Sequence, residues 1–146
     1  MEARGIISQV EDCKPTEWLS NLAIAKQSDG DIRICIDPRD LNAAIRCTYM
    51  YHRSPNVEDI TYQMSDAKIF SKLDARQGYW SIVLNEDSSW MTAFRSPATF
   101  QRYKFNRLPF GLSVSQDLFQ AAMDKITRGQ PGVIAKADGI CVFGYD

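Results

Sequence analysis

Two apolar segments of this chain each carry an aspartate where a strand would end. The first covers residues 69–73 and is followed by Asp74. The second, residues 133–143, consists of two apolar runs joined at Asp138-Gly139. Because carboxylates at two strand ends form sites for two magnesium ions, these segments predict a metal site on paired strands. Such a site usually has a third carboxylate, but position 139, its natural place, is glycine.

The size and composition of the chain indicate an ordinary globular protein. It has 146 residues, of which 45% are hydrophobic and 24% charged. One domain is therefore expected, with a core that forms without disulfides or metals. Apolar runs fall short of the ~20 residues of a membrane helix. The N-terminus also lacks the apolar region of a secretory signal. We therefore expect an intracellular protein that does not contact a membrane.

The cysteines do not predict a zinc site. The four cysteines lack the C-x-x-C spacing that is typical of zinc ligands. Cys35 and Cys141 lie inside apolar runs, where we expect them to serve as small core residues. This pattern favours a reducing compartment.

Residues 95–107 are basic and aromatic, although the net charge of the chain is −1. The basic residues of this segment, which contains no acid, are Arg95, Arg102, Lys104 and Arg107. Basic residues interleaved with aromatic ones suit a surface that follows a single-stranded nucleic acid. The alternative is a strand with aromatic side chains facing inward and charges facing outward. Spacing alone favours this alternative.

Turn residues and hydrophobic periodicity predict a mixture of strands and helices. The expected extended segments are residues 19–25, 32–36, 68–73 and 79–84, and a hairpin of residues 91–94 with 101–105. The expected helices are residues 57–64 and a longer one that Ser115 caps and that ends near residue 128. Turns are expected at residues 28–31 and at Asp138-Gly139. Because these elements lack βαβ regularity, we predict an α+β fold.

Together, these segments resemble the reverse transcriptase of gypsy-type LTR retrotransposons. In chain order, the motifs are PTEW (15–18), RICIDPRDLN (33–42), FSKLDA (70–75), TAF (92–94), LPFGLS (108–113), FQ (119–120) and MD (123–124). Each motif is weak by itself, but their order and spacing are those of the family. The resemblance extends from about Gly5 to the last residue.

The resemblance implies the fingers and palm of a right-handed polymerase, with a mixed antiparallel sheet packed on helices. Residues 1–146 would form one reverse transcriptase domain fragment that ends just after the metal-site hairpin, without the thumb. The implied activity is RNA-directed DNA polymerisation with two Mg²⁺ or Mn²⁺ ions. The implied partners are deoxynucleoside triphosphates and an RNA or DNA template-primer. The resemblance does not indicate an oligomeric state.

The resemblance also assigns roles to individual residues. Asp74 and Asp138 would be the catalytic carboxylates and the metal ligands. The implied nucleotide-binding residues are Arg33 and Lys26 at the triphosphate, Tyr79 as the gate against a ribose 2′-hydroxyl, Phe110 against the nucleotide, and Gly111 as a point of close backbone approach. From the residues alone, the aspartates could equally be strand-end or turn residues, the two basic residues solvated charges, and the tyrosine a core residue.

The chain departs from the family at the metal-site hairpin. The family usually has an aromatic residue, an apolar residue and two aspartates where this chain has Lys136-Ala137-Asp138-Gly139. Loss of a carboxylate removes charge stabilisation, and Lys136 would repel metal ions, so we predict weak or absent catalysis. One alternative is a domesticated fragment that binds nucleic acid or protein through residues 95–107. Another is an inert remnant with exposed apolar surface.

Overall fold

The computed structural model describes residues 1–26, 30, 32–46 and 56–145. Within these ranges, every helix is too short or too polar to cross a membrane. The chain forms two compact units: unit 1 is Met1–Thr48 with Tyr79–Ser115, and unit 2 is Tyr49–Gly78 with Gln116–Asp146. The prediction of one domain over residues 1–146 stays a prediction.

The described residues contain both strands and helices. In chain order, the strands are β1 (Ile7–Gln9), β2 (Asn21–Lys26), β3 (Ile32–Asp37), β4 (Ile69–Asp74), β5 (Phe94–Arg95), β6 (Arg102–Phe105), β7 (Val133–Lys136) and β8 (Gly139–Gly144). The α-helices are α1 (Arg39–Ala44), α2 (Val57–Gln63), α3 (Glu86–Met91) and α4 (Ser115–Thr127). Two 3₁₀ helices cover Glu2–Arg4 and Gly78–Ser81.

Unit 1 has a small aromatic core between antiparallel strands. Its sheets are β1-β6-β5 and the β2–β3 hairpin. Side chains alternate along β6, so Tyr103 and Phe105 share one face and the basic residues share the other. Phe105 is fully buried, and its ring centroid lies 5.2 Å from that of Phe94. The alternation predicted for this strand is therefore present, although Phe100 in the preceding loop is 75% exposed.

Unit 2 contains a second antiparallel sheet, with strand order β4-β8-β7. The helix predicted over residues 57–64 is α2, and a capping box between Asn56 and Asp59 begins it. All residues of β4 are exposed, including Ile69, Phe70 and Leu73, which are more than half exposed. This strand therefore contributes little to the core of the unit.

The half-buried cysteines agree with the sequence prediction. Cys35 and Cys141 are free thiols that are partly buried in strands β3 and β8. Burial raises the pKa of the Cys35 thiol. This thiol is therefore a neutral packing group at ordinary pH.

Several predictions of local structure are wrong. Residues 79–81 belong to a 3₁₀ helix instead of an extended segment. Met91 ends helix α3, which was not predicted and which Asn85 caps by accepting a hydrogen bond from the Ser88 amide. Ser115 is the first residue of α4, and its hydroxyl donates to the Pro109 carbonyl. The turn predicted at residues 28–31 lies outside the described residues, except for Gly30.

Candidate functional site

The β7–β8 hairpin holds Asp138 at its tip. Lys136 pairs with Gly139, so the two loop residues are Ala137 and Asp138, and the turn predicted at Asp138-Gly139 is displaced by one residue. Ala137 has a positive φ of 53°, whereas Gly139 lies in β8 without a positive φ. Turn chemistry therefore explains the conformation at Ala137 but does not explain the glycine at position 139.

The two predicted metal ligands lie at adjacent strand ends of unit 2. Asp74, the last residue of β4, pairs with Gly139 of β8. The Ala75 amide donates to the Asp138 carbonyl over 2.7 Å, which joins the end of β4 to the hairpin tip. Both aspartates are exposed. The structure therefore brings Asp74 and Asp138 together at one end of the sheet, where β4 ends and β7 turns into β8.

A row of three residues crosses the sheet beside these aspartates. Lys136, Gly139 and Asp74 are successive cross-strand partners on β7, β8 and β4. Because directly paired residues point to the same face, Lys136 and Asp74 leave the sheet on one side with no side chain between them. Their α-carbons are about 10 Å apart, which is two strand spacings. A cationic side chain is therefore a near neighbour of the carboxylate.

The two carboxylates at this end of the sheet suit a hard divalent cation, although they are few for a metal site. Mg²⁺ in polymerase-type sites is held by one or two carboxylates together with substrate phosphates, and Asp74 and Asp138 supply two. Among the residues that the structure describes, no group of three or more His, Cys, Asp or Glu side chains comes together. The pair thus fits a metal ion in chemistry but lacks the third carboxylate.

Gln120 of α4 forms hydrogen bonds to the β7–β8 hairpin, a role that the FQ motif did not reveal. Its side chain is 2% exposed, donates to the Ala135 carbonyl over 3.1 Å and accepts from the Ala137 amide over 2.9 Å. It also donates to Asp124. The available signal was a polar residue beside Phe119 on the apolar face of a helix, where buried polar groups need partners.

The predicted nucleotide-binding residues of unit 1 cluster around one aromatic ring. The ring centroids of Phe110 and Tyr79 lie 4.7 Å apart, and the Arg33 guanidinium lies 4.7 Å from the Phe110 centroid. Trp80 meets the same ring edge-on at 6.0 Å. The structure therefore brings together Arg33, Tyr79 and Phe110, which are distant in sequence.

Gly111 is held against the backbone of β3. Its φ is 110°, and a Cβ atom at this position would lie 1.9 Å from the Ile36 carbonyl oxygen. The Ile36 amide donates to the Phe110 carbonyl, and the Asn42 side chain donates to the Gly111 carbonyl. Close backbone approach at Gly111 was predicted from the resemblance, and the partner in the structure is strand β3.

Lys26 and Arg33 lie on opposite faces of the β2–β3 hairpin. Lys26 pairs with Ile32, whereas Arg33 pairs with Ala25. Since neighbouring residues of a strand point to opposite faces, Lys26 and Arg33 leave the hairpin on opposite sides. The role of Lys26 at the triphosphate stays a prediction, and this geometry does not favour it.

Two of the predicted nucleic-acid-binding residues are engaged within unit 1. The Arg102 guanidinium donates to the Glu11 and Asp12 carbonyls and to the Thr16 hydroxyl. Lys104 has a side chain that is only 12% exposed. These contacts indicate that Arg102 holds the N-terminal segment in place and leave its role in nucleic-acid binding a prediction.

Lys104 forms an ion pair on the outer face of β6. Its ammonium lies 2.6 Å from the Glu86 carboxylate and 4.4 Å from the centroid of the Trp90 ring. Hydrogen bonds from Lys104 and then Trp90 lower the pKa of Glu86. Arg95 is exposed, and Arg107 is half-buried beside Val83. Arg95 is therefore the most accessible of the four basic residues predicted to contact nucleic acid.

The sequence places this chain in a known family. Residues 24–145 match the family described as reverse transcriptase (RNA-dependent DNA polymerase). This match includes β4, the β7–β8 hairpin and the Phe110 loop. Because it covers more than half of the chain, the chain belongs to the reverse transcriptase family.

Viral polyproteins contain related segments. The chain is 34% identical to an enzymatic polyprotein of Cassava vein mosaic virus over 120 residues, which are 82% of this chain and 18% of the polyprotein. It is 37% identical to the enzymatic polyprotein of Cestrum yellow leaf curling virus over 93 residues, which are 63% of this chain and 14% of the polyprotein. The chain thus spans less than a fifth of either relative.

Solved structures of foamy virus proteins share the fold. The Prototype Foamy Virus Protease-Reverse Transcriptase CSH mutant matches with a TM-score of 0.81 and 24% identity, over 98% of this chain and 18% of that chain. The foamy viral protease-reverse transcriptase in complex with double-stranded DNA matches with a TM-score of 0.80 and 19% identity, over 99% of this chain and 24% of that chain. These matches confirm the predicted α+β fold with antiparallel sheets.

Proposed function

We propose that this chain forms the fingers and palm of a gypsy-type LTR retrotransposon reverse transcriptase whose nucleotidyl transfer is weak or absent. Family membership supports the reaction class. The composition of the strand row Lys136–Gly139–Asp74 supports the loss of activity. The subclass rests on the order and spacing of the motifs along the chain.

The observation that carries this proposal is the geometry of Gly139. Position 139 pairs directly with Asp74, so a side chain there would stand beside the Asp74 carboxylate on the same face of the sheet. A Cβ atom would meet only the Lys136 carbonyl oxygen, at an ordinary contact distance of 3.5 Å. The backbone therefore leaves room for a Cβ atom at this position, so packing does not require glycine here, and the glycine would remove a ligand without a gain to the fold.

The remaining residues would divide the work of nucleotide addition. Asp74 and Asp138 would hold Mg²⁺ or Mn²⁺, two ions in an active site, and bound ions supply charge stabilisation to the primer hydroxyl and the triphosphate. Arg33 would donate to phosphate oxygens, for which a guanidinium fork is well suited. Tyr79 would exclude a ribose 2′-hydroxyl, and Phe110 would pack against the nucleotide.

The substrates would be deoxynucleoside triphosphates and an RNA or DNA template-primer. The foamy virus relative was solved with double-stranded DNA, which supports a nucleic-acid partner for this fold. Exposed Arg95 offers a phosphate contact in unit 1. Loss of a metal ligand lowers transition-state stabilisation, which is why catalysis and not folding is expected to suffer.

Primer extension on an RNA template tests this proposal. The unaltered chain and the Gly139→Asp variant are compared with Mg²⁺ or Mn²⁺, and only the variant is expected to extend the primer. Adding Asp74→Asn to the variant serves as the matched control and should abolish extension, because it removes the neighbouring ligand. Equal extension by the unaltered chain would contradict the proposed loss of activity.

A second candidate is a non-catalytic remnant that associates through its exposed apolar surface. The exposed side chains of Ile69, Phe70 and Leu73 on β4 favour it, because apolar residues on a strand at the edge of a sheet promote association. Nucleic-acid binding through residues 95–107 is less well supported, since Arg102 and Lys104 are engaged within the unit. If neither chain extends a primer and both sediment as oligomers, this candidate is preferred.

A further inference from the structure

The buried side chain of Gln120 joins helix α4 to the metal-site hairpin. Gln120 is 2% exposed and contacts two backbone groups of the hairpin, the Ala135 carbonyl and the Ala137 amide. Its amide group therefore bonds to β7 and to the turn at the same time. A buried amide with both of its ends paired is expected to hold one conformation, because leaving either backbone group unpaired is costly.

The turn that Gln120 contacts has a strained backbone. Ala137 has a φ of 53°, a conformation that residues other than glycine seldom adopt and that costs about 1 kcal/mol. Such a conformation persists only where the surrounding structure enforces it. The hydrogen bond from the Ala137 amide to Gln120 is one contact that holds this residue.

The residue after Ala137 is the metal-ligand candidate Asp138. Its carbonyl accepts from the Ala75 amide over 2.7 Å, so the turn is held by α4 on one side and by the end of β4 on the other. These two bonds fix the backbone immediately before and after the Asp138 side chain. Groups that orient a ligand in this way commonly change metal affinity about 10- to 100-fold when they are removed.

We propose that Gln120 is a positioning residue: it holds the Ala137–Asp138 turn so that the Asp138 carboxylate faces the end of β4 beside Asp74. This inference rests on the proposed function, because the carboxylate pair is taken to bind a divalent cation. The conformation of the turn and the binding of the cation are measured separately. Failure of the inference about Gln120 can therefore be distinguished from failure of the proposed function.

The test compares three chains by NMR: the unaltered protein, Gln120→Leu and Thr127→Val. Leucine keeps the buried volume and removes both hairpin bonds. Thr127 lies on the same helix and donates to the Met123 carbonyl, so Thr127→Val removes a side-chain hydrogen bond of α4 that does not reach the hairpin. Hydrogen exchange of the Ala137 amide reports the turn, and Mn²⁺ titration with line broadening at Asp74 and Asp138 reports the cation.

Gln120→Leu is expected to speed exchange of the Ala137 amide about tenfold or more and to weaken Mn²⁺ binding about tenfold, whereas Thr127→Val changes neither. Unchanged exchange at Ala137 in Gln120→Leu would overturn the inference, whatever the cation does. Faster exchange with unchanged Mn²⁺ affinity would overturn it as well. If none of the chains binds Mn²⁺ at these residues, the metal-binding part of the proposed function fails, and so does the purpose assigned to Gln120.

Discussion

Two glycines near the candidate functional residues differ in whether the backbone requires them. Gly111 of unit 1 has a φ of 110°, and a Cβ atom there would lie 1.9 Å from the Ile36 carbonyl oxygen. Gly139 of unit 2 has no positive φ, and its nearest contact for a Cβ atom is the Lys136 carbonyl oxygen at 3.5 Å. The backbone thus requires glycine at the first position and accepts any small side chain at the second.

Folding requires glycine at position 111, whereas at position 139 the glycine affects the chemistry of the strand ends and not the folding of the sheet. At Gly111 the Phe110 loop packs directly on β3, so the geometry of this loop depends on the absence of a side chain. At Gly139 the β4–β8 pairing continues on both sides of the residue, so the strand needs no glycine. Unit 1 therefore contains a loop whose packing requires glycine, whereas the sheet of unit 2 leaves room for a Cβ atom at position 139.

The largest expected effect is that of Gly111→Ala. The added methyl group would overlap a backbone oxygen and would also require a left-handed alanine, so we expect a loss of about 3 kcal/mol or more in the free energy of unfolding. Urea denaturation followed by circular dichroism measures this loss. Gly5→Ala is the matched control, because Gly5 has a φ of 64° and open space around it. A loss no larger than that of the control would show that the contact with Ile36 is unimportant.

A smaller effect of opposite sign is expected for Gly139→Ala. Alanine loses less chain entropy than glycine in a strand, so the free energy of unfolding should rise by roughly 0.5–1 kcal/mol. The same urea experiment measures it. Destabilisation by more than about 1 kcal/mol would mean that the hairpin needs glycine, and the comparison between the two glycines would no longer hold.

The smallest effect is that of Lys136→Met on Mn²⁺ affinity. At about 10 Å in water, one positive charge repels a divalent ion weakly, so removing it should raise the affinity about two- to fourfold at low salt. Exposed Lys125 on α4 offers the matched control, Lys125→Met. An equal gain from both variants, or a gain that persists in concentrated salt, would argue against a local effect of Lys136.

Much of the fold followed from local sequence patterns. The β2–β3 strands, β4, α2 and α4 all lie close to their predicted bounds, because alternation and helical periodicity are properties of neighbouring residues. The misplaced elements are short. Asn85 was overlooked as a cap, so α3 was missed, and residues 79–81, which belong to a 3₁₀ helix, were expected to be extended.

The candidate site could be predicted only in part. Asp74 and Asp138 were identified by resemblance, and strand pairing places them together. The roles of Arg102 and Lys104 were not readable, because their partners Glu11, Asp12 and Glu86 are supplied by distant parts of the chain. The position of Gln120 beside Phe119 on an apolar helix face indicated a buried polar group that needs partners, but it did not indicate that those partners are in the β7–β8 hairpin.

The sequence by itself determined the family, most of the longer helices and strands, and the absence of a carboxylate at position 139, because these depend on residue identity and on order along the chain. Only the tertiary structure decided that Gly139 pairs with Asp74 and that the turn is at Ala137-Asp138. It also decided that Lys136 lies on the same face of the sheet as Asp74. Strand register links residues about 65 positions apart, and a shift of one residue would send every side chain to the opposite face. The chemistry of the site therefore depends on pairing that no local pattern specifies.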